Sequence, residues 1–106
     1  MTQLSITTDH QAEATVVALA GELDLGSRTR LQAALAEAIE AGRPVVVDLS
    51  GLTFMDSTGI AVLTNARRAA GEAGVPLTVT EATGTVERIL EMTGVRQFLS
   101  GEWPQR

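Results

Sequence analysis

Cysteine and lysine are both missing from this 106-residue chain. The lack of cysteine excludes thiolate zinc sites, nucleophilic thiols and a disulfide framework. The lack of lysine removes the phosphate-contacting lysine of a P-loop and the lysine that a response-regulator receiver needs. A nucleotide-hydrolysing α/β domain is the one enzymatic interpretation left, and the sequence has no glycine-rich phosphate loop to support it. We therefore expect a protein that is not an enzyme.

Positive charge and long apolar runs are also scarce. The eight basic residues are all arginines, and with 13 acidic residues they leave a formal net charge of −5. An acidic chain binds the phosphates of nucleic acid poorly, so no nucleic-acid partner is expected. No apolar run approaches the ~20 residues that span a bilayer, and Met1–Leu4 lacks the basic and apolar regions of a signal peptide. We expect a cytoplasmic protein with no membrane partner.

The first third of the sequence predicts a hairpin followed by a helix. Residues 4–8 alternate apolar with polar, and a second β-rich run over 15–22 follows a polar turn at 9–14. This short spacing favours an antiparallel pair of strands. Ser27 is a good N-cap for the first helix, whose apolar residues recur every four positions until Gly42 ends it.

The rest of the sequence predicts alternating strands and helices. Residues 44–49 form a short, continuously apolar, β-branched run, which is typical of a central strand covered on both faces. After a short loop, a second helix is expected over Ser57–Ala73, followed by a strand over 77–80 and a third helix. The predicted order is ββαβαβα in a single domain of residues 1–106. Strands separated by helices indicate an α/β fold with a mixed, mostly parallel sheet and helices packed against it.

The segment between the central strand and the second helix is the richest candidate site. With Asp56 as N-cap, Ser57, Thr58 and Gly59 fall in the first turn of the helix. Unpaired amides and the helix dipole would then favour a phosphate on Ser57 by about 0.3 to 1 kcal/mol. Gly59 costs a helix roughly 0.5 to 1 kcal/mol relative to alanine, which is easier to understand if another backbone comes close. An ordinary helix cap explains the same residues, so the segment alone leaves both interpretations open.

Three segments together resemble the STAS domain family. Asp56-Ser57-Thr58-Gly59, after a Val-Val-Val-Asp-Leu strand, is similar to the family's signature. Gly21–Leu25 is similar to the signature of its second strand, and Ile89–Val95 to its last long helix and the turn after it. The resemblance covers nearly the whole chain in the right order, and it implies a STAS-type single domain. The chain departs from the pattern after Phe98-Leu99, because it stops at Arg106 where many members continue with a further strand and helix.

The resemblance implies an anti-sigma factor antagonist. Such a protein binds an anti-sigma factor that is also a GHKL-type, ATP-dependent serine kinase, and so releases a sigma factor. The kinase phosphorylates the serine after the aspartate, which is Ser57 here, and a separate serine phosphatase reverses the step. Asp24, Asp56, Thr58 and Gly59 are the implied partner-binding residues around it. The resemblance implies no cofactor, and the acidic residues show no ligand spacing that is specific for a metal.

A second role within the same family stays open. STAS domains also occur as accessory subunits of bacterial lipid-transport ABC complexes, where the same helix docks on the ATPase. The complete Asp56–Gly59 motif and the segment Ile89–Val95 favour the antagonist.

Overall fold

Strands and helices alternate around one sheet in the computed structural model, which describes residues 3–80, 82 and 84–93. Within these residues the elements are β1 (Ser5–His10), β2 (Thr15–Leu23), a 3₁₀ turn (Leu25–Ser27), α1 (Arg28–Glu40), β3 (Val45–Met55), α2 (Ser57–Glu72), β4 (Leu77–Thr80) and α3 (Gly84–Thr93). The predicted order ββαβαβα is confirmed. Gly94 and Val95, the end of the third family-like segment, lie outside the described residues.

The sheet has the order β1-β2-β3-β4 in the described part of the chain. The hairpin β1-β2 is antiparallel, whereas the pairs β2-β3 and β3-β4 are parallel. This confirms a mixed, mostly parallel sheet. The hairpin is tighter than predicted, because β1 continues to His10, which pairs with Thr15. The turn is closed by a hydrogen bond of 2.8 Å from the Gln11 amide to the Ala14 carbonyl.

The helices α1 and α2 cover one face of the sheet. Right-handed crossovers between adjacent parallel strands place successive helices on the same face, and α1 and α2 contact each other. On β3, Val45, Val47 and Leu49 point into this core and are at most 1% exposed. Val46 and Asp48 alternate with them and are only half-buried. β3 is an inner strand as predicted, but among the described residues only one of its faces is fully covered.

The central strand is longer than the sequence suggests. Residues 50–55 were expected to form a loop, but β3 continues through them to Met55. Its inward-facing residues follow each other at intervals of two as far as Leu49, and then at intervals of three to Leu52 and Met55. Two register shifts against β2 accommodate the extra residues as bulges. The loop prediction was wrong because bulges conceal the two-residue period of a strand.

Glycines end both crossover helices. Gly42 follows α1 with φ of +84°, and Gly74 follows α2 with φ of +74°, a conformation that glycine adopts without steric cost. The predicted helix ends are thus confirmed to within a residue or two. No helix among residues 3–80, 82 and 84–93 combines the length and apolar character needed to cross a membrane.

Gly59 lets the start of α2 lie directly against the sheet. A Cβ atom at this position would lie 2.6 Å from Cγ of Met55 and 2.8 Å from Cδ2 of Leu23. Both of those side chains are 0% exposed, so they have no solvent to move into. The close approach is to packed side chains and not to another backbone, which corrects the reason expected from the sequence.

We predict that Gly59→Ala destabilises the fold by about 1 to 3 kcal/mol, because the added methyl overpacks Leu23 and Met55. Gly71→Ala is the matched control, since Gly71 lies in the same helix with nothing within 4 Å of its ideal Cβ. That control should be stabilised by roughly 0.5 to 1 kcal/mol through helix propensity. Urea unfolding followed by circular dichroism measures both. Equal stabilities of the two variants would contradict the packing described here.

Candidate functional site

The candidate site lies where β2 and β3 end side by side. Leu23 pairs with Met55 as the last partners of the two strands, and the Asp56 amide donates to the Leu23 carbonyl at 3.3 Å. Asp24 and Asp56 are therefore the residues that leave the sheet at the same edge. This is the carboxyl edge of the parallel strands, where open α/β sheets usually meet ligands and partners.

Asp56 caps α2 through its side chain. One carboxylate oxygen, Oδ1, accepts hydrogen bonds from the amides of Thr58 at 3.0 Å and Gly59 at 3.2 Å. The predicted N-cap is thus confirmed. The same bonds correct the expectation that unpaired amides await a phosphate on Ser57, because Asp56 already occupies the amides of Thr58 and Gly59.

The three residues after Asp56 differ in their access to solvent. Ser57 is exposed, Thr58 is half-buried and Gly59 is buried. The Ser57 hydroxyl makes no hydrogen bond to any residue that the structure describes. Of the two adjacent hydroxyls, Ser57 is therefore the one that a macromolecular partner reaches more easily. Because Gly59 is buried, it cannot contact such a partner directly. Its contribution to the site is to let the start of α2 pack closely against the sheet.

Ser57 and Thr58 line a cleft between the first turns of α1 and α2. The cleft has a volume of about 310 Å³ and is also lined by Arg28, Gln32 and Asn65. Sequence reasoning missed Arg28. The available signal was its position as the first residue of α1, since both crossover helices begin at the same edge of the sheet as Ser57.

Asp24 belongs to a neighbouring cleft. That cleft measures about 290 Å³ and is lined by Glu22, Asp24, Ser27 and Arg30, among others. The Asp24 carboxylate accepts from the Ser27 hydroxyl at 3.3 Å, and that hydroxyl accepts from the Asp24 amide at 3.1 Å. Ser27 occupies the N-cap position of α1 as predicted, but its side chain makes no capping bond to that helix. Asp24 shares the edge with Ser57 without lining the same cleft.

Two large apolar side chains are exposed next to the acidic residues. Leu25 follows Asp24 and is 64% exposed, and Phe54 precedes Met55 and is 41% exposed. Apolar side chains rimmed by polar ones are typical of protein interaction sites. The sequence did not single out either residue. Within residues 3–80, 82 and 84–93, no three metal-ligating side chains come together as a potential metal site.

Fold and site together define a small α/β domain with a mixed sheet and an exposed, acid-flanked serine at a helix start. Residues 6–100 match the family model described as "Mlab, STAS domain". The chain therefore belongs to the STAS domain family, as the sequence motifs indicated.

Several proteins similar to this chain bear the name of anti-sigma factor antagonists. It is 30% identical over 98 residues to an anti-sigma F factor antagonist of Paenibacillus polymyxa, covering 91% of this chain and 84% of the relative. It also resembles the crystal structure of an anti-sigma factor antagonist from Mycobacterium paratuberculosis, with a TM-score of 0.82 and 23% identity over 92% of this chain and 83% of that one. The phosphorylated form of the Bacillus cell fate determinant SpoIIAA matches with a TM-score of 0.70 and 22% identity over 93% and 87% of the two chains.

We predict that Asp56→Ala lowers the free energy of unfolding by about 1 kcal/mol, because two amides of α2 lose their acceptor. Asp56→Asn should retain most of the stability, because an asparagine oxygen caps as well as a carboxylate. Thermal and urea unfolding of the three proteins measure the difference. A loss in Asp56→Asn as large as in Asp56→Ala would show that charge, and not the capping geometry, stabilises the start of α2.

Proposed function

We propose that this chain is a cytoplasmic anti-sigma factor antagonist that binds a GHKL-type anti-sigma factor serine kinase and thereby releases a sigma factor. Phosphorylation of Ser57 by that kinase switches the antagonist off, and a serine phosphatase restores it. The observation that carries the proposal is the exposed Ser57 hydroxyl, which stands at the start of α2 without a partner among the described residues. The protein acts as a binding partner and substrate, not as an enzyme.

Relatives support this role. The Paenibacillus polymyxa protein bears the name of an anti-sigma F factor antagonist and aligns over most of both chains. SpoIIAA, which shares the fold, exists in a phosphorylated form. The exposed serine at the start of α2 gives the present chain a residue suited to the same modification.

The surroundings of Ser57 explain how a phosphate would end a complex. A phosphoserine carries about −1.5 to −2 charge at pH 7, and here it would follow directly after the Asp56 carboxylate. In the free protein water screens this charge. Burial of the same charge against a partner costs several kcal/mol unless a cation meets it, and each 1.4 kcal/mol weakens binding about tenfold. One phosphate thus weakens binding by orders of magnitude.

The proposed interface combines the acidic edge with the exposed apolar residues. Asp24, Asp56 and Thr58 supply polar contacts around Ser57, and Gly59 holds the start of α2 against the sheet. Leu25, in the 3₁₀ turn after β2, and Phe54, near the end of β3, supply apolar area, since both are already exposed. Apolar anchors with a polar rim are the usual composition of a protein interface.

The accessory-subunit role remains the second candidate, because the family model that matches carries the description "Mlab, STAS domain" and does not itself mention sigma factors. A pull-down from the native cytoplasm separates the two roles. Recovery of a GHKL-type kinase supports the antagonist, whereas recovery of a lipid-transporter ATPase overturns it.

We predict that the kinase recovered in this way, with MgATP, adds one phosphate at Ser57 and none at Thr58. The reason is access, since Ser57 is exposed and Thr58 is half-buried. Mass spectrometry of the intact protein and of its peptides locates the phosphate. Ser57→Ala is the control and should remain unlabelled. A phosphate on Thr58 or Ser50, or undiminished labelling of Ser57→Ala, would refute the assignment.

We further predict that Ser57→Asp weakens kinase binding by about tenfold or more and leaves the melting temperature nearly unchanged. At an exposed helix start a carboxylate is neutral or stabilising by about 0.3 to 1 kcal/mol, whereas in the interface its desolvation opposes binding. Ser57→Ala should bind like the wild type.

Ser50→Asp is the matched charge control, because Ser50 is exposed on β3 and lies outside the proposed contact residues. Calorimetric titration and melting curves cover all four proteins. Equal affinity of Ser57→Asp and Ser50→Asp would exclude a charge switch at Ser57. A sharply lowered melting temperature in Ser57→Asp would instead show that Ser57 has a structural role.

A further inference from the structure

Arg28 is the one arginine that lines the cleft beside Ser57. It begins α1 and is exposed, and its guanidinium has no hydrogen bond or ion pair with the residues that the structure describes. Arg30, two positions later, differs from it, because its side chain donates to the Leu4 carbonyl at 3.0 Å and lines the neighbouring cleft. Arg28 is therefore a cation beside Ser57 whose guanidinium is not held by any residue that the structure describes.

Such a cation would offset part of the negative charge around a phosphate on Ser57. The amides of Thr58 and Gly59, which could have solvated it, are bonded to Asp56 at 3.0 and 3.2 Å. Asp56 itself adds a negative charge one residue away, and Asp24 adds another at the same edge of the sheet. Without a counter-charge, repulsion from these carboxylates would oppose the modest stabilisation that a helix N-terminus gives to a negative group.

We propose that Arg28 pairs with the phosphate of phosphorylated Ser57 across the cleft between α1 and α2. The inference rests on the proposed modification of Ser57 and adds the residue that binds the phosphate. A guanidinium binds phosphate through two parallel N–H donors, which makes arginine well suited to this task. Gln32 and Asn65 line the same cleft and bring side-chain amides that can donate further hydrogen bonds. The phosphorylated protein then holds its phosphate against its own surface.

The second ionisation of the phosphate tests the pairing. Phosphoserine is installed at position 57 by genetic code expansion, so that no kinase is needed, and its titration is followed by phosphorus NMR. A nearby guanidinium favours the dianion and lowers the second pKa of the phosphate. Arg28→Gln should raise that pKa by about half a unit or more relative to the otherwise unchanged phosphoprotein. Arg28→Lys, which keeps the charge but not the paired donors, should give a value in between.

Arg43→Gln is the matched control. Arg43 is also exposed and also without an ion pair among the described residues, but it lies in the turn before β3, at the opposite edge of the sheet. The Arg43→Gln substitution removes the same charge and should leave the second pKa of the phosphate unchanged. Amide spectra of each variant without phosphate verify the fold, and on phosphorylation the side-chain amides of Gln32 and Asn65 should shift more when Arg28 is present.

Identical pKa values in the Arg28→Gln and Arg43→Gln phosphoproteins would overturn the pairing. Because the phosphate is installed without a kinase, that result is independent of the proposed function. Failure of every kinase to label Ser57 would refute the antagonist cycle and leave the titration result standing.

Discussion

The carboxylate of Asp56 is the interaction on which the candidate site depends. It stands alone between the end of β3 and the start of α2, and it fixes the first turn of that helix by accepting from the amides of Thr58 and Gly59. This geometry leaves Ser57 as the exposed residue at the turn. It also occupies two of the amides that helix starts commonly offer to anions. The same contact therefore displays the serine and obliges a phosphate on it to find its counter-charge elsewhere.

Element order and the position of the serine could be predicted because they depend on local signals. The apolar run over 44–49, the cap at Asp56 and the glycines at 42 and 74 each act within a few residues, and the structure bears them out. The continuation of β3 to Met55 could not be predicted in this way. It depends on two bulges against β2, and pairing between strands separated by a helix leaves no periodic trace in the sequence.

The residues of the candidate site also differ in whether local signals in the sequence could predict them. Asp56 and Ser57 form a contiguous motif, so their adjacency is visible in the sequence. Arg28 lies 29 positions from Ser57, and only the parallel crossovers bring α1 and α2 to the same edge. The exposure of Leu25 and Phe54 depends on where the strands end, which hydropathy alone does not show. The cost of Gly59 to a helix is visible in the sequence, but the packed side chains of Leu23 and Met55 that require it are brought together only by the fold.

The close packing at Gly59 limits how far α2 can move. Because the first turn of α2 lies directly against the fully buried side chains of Leu23 and Met55, the helix has little room to move toward the sheet when its terminal residue changes. A rigid support of this kind confines the effect of a modification to the surface. A partner that distinguishes two states of this domain would then respond to the electrostatic potential and the local shape of its surface, and not to a rearranged backbone.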